Sequence, residues 1–177
     1  MRTEQLCREF GFELRHTVFP LHPETPEEGR ELADLFAGRG LDLDAMFARL
    51  QTVAAEVCLP LGTRSRTYNS RRAQELGKWA EEQGQGGAFH DAAYRAYFVA
   101  GRNIALPAEL TAIAVEIGLD PAEAVRVLEK RRYAAAVDAD GQRARALGVQ
   151  AVPTFRYRGR QLVGFSPYAE LRRLITG

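Results

Sequence analysis

Apolar positions recur mostly at helical spacing, and three short stretches read as strands. Residues 2–10 predict a helix with Leu6 and Phe10 on one face, ended by Gly11. FELRHTVF (12–19) alternates, with Phe12, Leu14, His16 and Val18 facing one way, so it predicts a strand in which His16 is a hydrogen-bonded core histidine. Thr25-Pro26-Glu27-Glu28 has the form of a capping box with proline at the first helical position, which predicts a helix carrying Leu32, Leu35 and Phe36. A second helix is expected over 43–57 behind Asp42, broken by Pro60 and Gly62. Asn69 or Ser70 caps a third, bearing Ala73, Leu76 and Ala80. GQGG separates it from an aromatic-rich helix over about 88–100, and Pro107 to Ile117 forms another. Asp120-Pro121-Ala122-Glu123 repeats the cap–proline–glutamate pattern and opens a long helical stretch to Leu147, bent near Tyr133. After Gly148 come a hairpin over 152–164, turning at Arg158-Gly159, and a last helix capped by Ser166-Pro167.

The order is therefore helix, strand, a block of helices, hairpin and helix. A strand whose partners lie more than 100 residues away implies an α/β unit with a helical insertion rather than two domains in series. Trp79 and the aromatics from Phe89 to Phe98 read as helix-packing core, and the pairs Arg71-Arg72, Arg131-Arg132 and Arg172-Arg173 as solvated helix faces.

Composition narrows the function. The 177 residues carry 24 Lys and Arg against 23 Asp and Glu, so a net charge of +1 offers no field to gather nucleic acid or a membrane surface. The polar start MRTEQLCREFGFELRH has neither the apolar run of a signal peptide nor that of a span, and a cytoplasmic location is expected. Cys7 and Cys58 lie 51 positions apart with no CxxC, and the three histidines have no metal-ligand spacing. Each cysteine reads as a small buried hydrophobe.

Pro153 is the informative residue. It cannot donate to a ladder, so a central strand should reject it. Placed at the start of a strand, a cis Val152–Pro153 bond would turn the Val152 backbone outward, where an extended peptide or a thiol ligand can bind it by main-chain hydrogen bonds. The combination of FPLHPETPEEG (19–29), YNSRRAQELGKWAEEQG (68–84), FHDAAYRAYFVAGRNI (89–104), the helix after GLDP (118–121) and GVQAVPTF (148–155) resembles the DsbA family. It is similar above all to the FrnE-like branch, related to 2-hydroxychromene-2-carboxylate isomerases and kappa-class glutathione transferases.

The resemblance implies an α/β thioredoxin-like fold with a large all-helical insertion. Residues 1–29 and 134–177 would be the thioredoxin-like domain and 30–133 the insertion. It also implies a cis Val152–Pro153 bond. In that family a first strand and a CxxC at a helix N-terminus, or a serine in the isomerase branch, precede the stretch aligned with MRTEQLCREFG, so the chain is expected to be N-terminally truncated. No residue is then assigned as catalytic, since Cys7 would fall in mid-helix and Cys58 in the insertion. Val152, Pro153, Thr154, Ser166, His22 and Asn69 are the expected substrate-binding positions, although Ser166 and Asn69 also read simply as caps and His22 as a polar loop residue. No metal or cofactor is implied beyond glutathione. A thiol or disulfide protein substrate, or glutathione, is the expected partner, and an exposed sheet edge is expected to pair with residues 12–19 or to be covered by a homodimer.

Three functions follow: a disulfide oxidoreductase of this type lacking its own dithiol, a glutathione-dependent isomerase or transferase, and a non-catalytic module that binds a peptide or partner.

Overall fold

The computed structural model describes residues 2–177. The chain forms two compact units, one running up to Leu21 and resuming over Asp138–Gly177, the other His22–Val137. The chain thus passes between them at 21/22 and 137/138 rather than at 29/30 and 133/134. Side chains of the helical unit claim the intervening residues: Asn69 Nδ2 donates to the carbonyls of Pro23 (3.1 Å) and Thr25 (2.7 Å), and Asn103 Nδ2 to that of Glu27 (2.9 Å).

In the helical unit, the capping box at Thr25 does not start a helix. A helix there would give the Thr25 carbonyl to the Gly29 N–H. Asn69 takes that carbonyl instead, and Gly29 turns back to the Pro26 carbonyl at 3.0 Å. Gly29 has φ +84° and packs so tightly that a Cβ would lie 2.5 Å from the Tyr68 ring, which leaves room only for glycine. Strand β1 (Arg30–Glu31) follows and pairs antiparallel with β2 (Arg66–Thr67), a two-residue ladder too short to leave a period in the sequence. The expected first helix shrinks to α2 (Leu32–Leu35).

Helix α3 (Leu43–Ala55) is capped as the sequence predicts, Asp42 Oδ1 accepting from the Ala45 N–H at 2.9 Å. Helix α4 (Arg71–Glu82) places Ala73, Leu76 and Ala80 on one buried stripe. Helix α5 (Gly86–Tyr94) continues into one π turn (Arg95–Val99), and α6 spans Pro107–Glu116. Asp120 caps α7 (Pro121–Glu129), its Oδ1 accepting from the Glu123 N–H at 2.7 Å. The expected single bent helix is two: Arg131, at φ +49°, breaks the ladder, and α8 (Ala134–Ala146) starts afresh. Leu76, Leu110, Ile113 and Val127 are fully buried in one continuous core with Trp79 and Phe89.

The other unit holds α1 (Arg2–Phe10), the end of α8, strands β3 (Thr154–Tyr157) and β4 (Arg160–Val163), and α9 (Tyr168–Thr176). Leu6 of α1, Ala144 of α8 and Leu171 of α9 are its buried apolar side chains. Residues 12–19 correct the sequence reading. They join no ladder among the described residues, and none of them, His16 included, is buried. Alternation marks a strand only when a neighbour completes the sheet, and here β3 pairs with β4 alone. The Val18 N–H donates to Asp140 Oδ2 at 3.0 Å, and Phe12 leans on the Tyr157 ring, centroids 6.1 Å apart.

Candidate functional site

The site is built on the hairpin. Arg158 and Gly159 both have positive φ (45° and 82°), as a two-residue turn matching the twist of its strands requires. Tyr157 and Arg160, which flank it, are therefore a hydrogen-bonded pair, and pairs alternate along the ladder. Phe155 and Pro153 face β4 with their backbone groups, while Thr154 and Arg156 direct theirs to the opposite, unpaired edge.

The Val152–Pro153 bond is cis. The Pro153 carbonyl accepts from the Gly164 N–H at 2.8 Å, but the ring leaves no N–H to return to the Gly164 carbonyl. Ser166 supplies the missing donor, its Oγ donating to that carbonyl at 3.2 Å. This revises the sequence reading of Ser166: it does not cap α9, whose N-cap position is Pro167, and its buried hydroxyl is spent inside the hairpin mouth. Arg2 reinforces the same corner, stacking over the Phe165 ring at 4.4 Å and donating from Nη1 to the Ser166 carbonyl at 3.4 Å.

Val152 and Thr154 open onto a cavity of about 520 Å³ that lies wholly within this unit. Leu6, Leu147, Leu171 and Leu174 give it apolar walls, and four arginines against one glutamate (Arg15, Arg143, Arg156 and Arg158; Glu13) line it as well. The structure thus brings together Val152, Pro153, Thr154 and Ser166. Cys7 does not line the cavity. It sits half-buried as the sixth of nine residues in α1, past the helix end whose dipole and free N–H groups would favour a thiolate. Cys58 is exposed at φ +52° just after α3, so it is not the buried hydrophobe the sequence suggested. Both are free thiols.

His22 and Asn69 belong to the helical unit. His22 Nδ1 lies 3.6 Å from a Glu24 carboxylate oxygen in a loop. Asn69 is fully engaged: besides its two donations to the 23–25 loop, Oδ1 accepts from the Arg71 N–H at 2.9 Å. It borders a small cavity of about 200 Å³ with Arg71, Arg72 and Arg131.

Next to it lies what sequence reasoning missed. Glu75 is completely buried, and its carboxylate accepts from Arg71 Nε (2.7 Å) and, in a two-pronged grip, from Arg131 Nε (2.7 Å) and Nη2 (2.6 Å). Burial pushes this carboxyl up, but the hydrogen bonds and charges of Arg131 and Arg71 outweigh that and hold it below its ordinary range. Arg71 also donates to the Ala134 carbonyl at 2.8 Å, so one cluster ties α4 to the start of α8. Arg71 and Arg131 thus depart from the solvated-face reading, whereas Arg72, Arg172 and Arg173 make surface ion pairs, with Glu27 at 2.7 Å, Glu9 at 2.8 Å and Glu170 at 2.6 Å. The available signal was Arg71 four residues before a glutamate on an apolar stripe.

The DSBA-like thioredoxin domain matches residues 1–176. The chain belongs to that family. A probable DsbA oxidoreductase from Streptomyces coelicolor is 29% identical, superposes with a TM-score of 0.87, and is covered over 98% of this chain and 80% of its own. A 2-hydroxychromene-2-carboxylate isomerase shares the fold at 20% identity and a TM-score of 0.70, over 98% of this chain and 83% of its own. A search of curated protein sequences finds no significant match. The chain has the DSBA-like thioredoxin fold with its many helices, and its 177 residues contain no CxxC. Among the described residues no helix is long and apolar enough to cross a membrane, and no group of His, Cys, Asp or Glu is arranged to hold a metal ion.

Proposed function

We propose that this DSBA-like chain is the ligand-cradling side of a thiol site, engaging a disulfide- or thiol-bearing protein segment at Val152, Pro153 and Thr154, without dithiol exchange by its own cysteines. The observation that carries the reading is the position of those three residues. Val152 is 43% exposed at the cavity mouth, and Thr154 offers an unpaired backbone edge beside it. A nucleophilic thiol needs a helix N-terminus or a cationic neighbour, and neither Cys7 in mid-α1 nor Cys58 in a loop has the CxxC partner that would resolve a mixed disulfide. Glutathione is the small-molecule ligand of the same chemistry, though the Ser166 hydroxyl is committed to Gly164 and does not face it. A cytoplasmic setting fits a chain with two unpaired cysteines.

An insulin-reduction assay with dithiothreitol tests the redox half. The chain and its Cys7→Ser/Cys58→Ser double variant should give the same rate as buffer. Turnover that the double variant loses would overturn the claim. Calorimetric titration tests the binding half. A cystine-bridged peptide or glutathione should bind saturably, and Thr154→Pro, which deletes one edge N–H, should weaken binding about tenfold. No saturable binding of either ligand would contradict it.

A further inference from the structure

The small cavity at the start of α4, about 200 Å³ within the helical unit, is bordered by Asn69, Arg71, Arg72, Arg131 and Glu27. It has the space of roughly six waters at about 30 Å³ each, enough for a small oxyanion. Its walls carry three guanidinium groups against one carboxylate. Arg71 and Arg131 also grip the buried Glu75, so three arginines face two glutamates and one positive charge is left over. The helix adds donors. Asn69 Oδ1 takes the Arg71 N–H at 2.9 Å, while the Ser70 hydroxyl accepts from Gln74 Nε2 at 3.1 Å and caps nothing. The N–H groups of Arg72 and Ala73 are left without an acceptor among the described residues, although Ala73 is buried. The Thr25 hydroxyl, buried next to the carbonyl that Asn69 holds, also lacks a partner. Unmatched donors beside surplus positive charge call for an anion.

We propose that this cavity binds a phosphoryl group, free or esterified. Glu27 shows how the site opens. Its carboxylate meets Arg72 at 2.7 Å, yet its side chain is 52% exposed, and Asn103 Nδ2 holds only its backbone carbonyl, at 2.9 Å. The side chain is a loosely held carboxylate on one cationic wall, and it can swing to solvent without moving the turn. Once it leaves, three arginines face Glu75 alone. That surplus of two matches the charge of a phosphate monoester, about −1.5 to −2 at pH 7. Guanidinium forks and helix-start N–H groups are donors well suited to phosphate oxygens. A monocarboxylate brings less charge to the same donors. Arg72 is the residue on which binding turns, because Arg71 and Arg131 also serve Glu75. The inference stands apart from the thiol reading, which concerns the hairpin unit.

The test uses the whole chain with inorganic phosphate and phenyl phosphate, the ionic strength held constant with chloride. The thermal midpoint followed by emission of Trp79, a residue of α4, should rise saturably with phosphate and not with chloride. In calorimetric titration, Arg72→Gln should weaken binding at least about tenfold. Glu27→Gln removes the competing carboxylate and should tighten binding about threefold. Tighter binding of phenyl phosphate identifies an ester as the ligand, and tighter binding of inorganic phosphate the free ion; both sustain the proposal. No saturable response to either would overturn it, and so would acetate binding as tightly as phosphate or unchanged affinity in Arg72→Gln. If Arg72→Gln does not fold, Glu27→Gln decides alone: affinity equal to or below that of the unaltered chain would overturn the proposal. Failure here with retained glutathione or cystine-peptide binding would sink the phosphoryl site and leave the thiol reading standing.

Discussion

The two units meet the same physical demands in opposite ways. The helical unit buries what it cannot solvate: Leu76, Leu110 and Ile113 are inaccessible, and even its one fully buried charge, Glu75, is satisfied by two guanidinium groups. Both units expose some large apolar side chains, Leu41 and Val115 at 51% and 53% in the one, Val163 and Phe165 at 51% and 61% in the other. But the hairpin unit buries only Leu6, Ala144 and Leu171 among its described apolar side chains, and one edge of β3 is unpaired among the described residues. The first arrangement holds a fold together, and the second leaves open the surface to which we assign binding. Elements that engage ligands are drawn from the less protected part of a structure.

That division has measurable consequences, and Trp79, the only tryptophan and buried in the helical core, reports on one side of it. The largest effect is expected at Glu75. Arg71→Ala/Arg131→Ala leaves the fully buried Glu75 carboxylate without either guanidinium and should cost about 3–5 kcal/mol in a denaturant titration followed by Trp79 emission. A loss below about 1 kcal/mol would mean the cluster is solvated and the helical unit is not held as described. Leu110→Ala, at a fully buried position, comes next at about 2–5 kcal/mol.

Acid gives the third effect. Folding holds Glu75 ionised more firmly than the unfolded chain does, so its contribution is complete above the ordinary value of 4.5 and is lost as pH falls through the lower folded value. The Trp79 midpoint should therefore drop below about pH 4.5, and Glu75→Gln should flatten that part of the curve; equal slopes in the two proteins would contradict the assignment. The smallest effect is on the other side of the comparison. Leu14→Ala, at an exposed position, should change stability by less than about 0.5 kcal/mol.

What the sequence disclosed follows the same division. Caps and stripes are local, so Asp42, Asp120 and the Ala73–Leu76–Ala80 face were legible. The hairpin turn and the proline at its mouth were legible for the same reason. Features decided by distant groups were not. The capping box at Thr25 failed because Asn69, 44 positions away, takes the carbonyl that a helix would use. Residues 12–19 alternate as a strand does, but no neighbour pairs with them. Nothing near Glu75 in the sequence marks it as buried, because Arg131, 56 positions on, is what closes over it, from a left-handed backbone. At the hairpin mouth, Pro153 ahead of a strand could be read from the motif, whereas the role of Ser166 depends on a hydrogen bond that proline cannot make.

The central claim is that β3 presents a free edge in a unit looser than the helical core. Residue-resolved native-state hydrogen exchange tests it most directly. The amides of Leu110 and Ile113 should exchange only on global unfolding, while those of Thr154 and Arg156 should exchange close to the unstructured rate and slow when the cystine-bridged peptide is added. Thr154 and Arg156 amides already as protected as Leu110 in the free chain would contradict it.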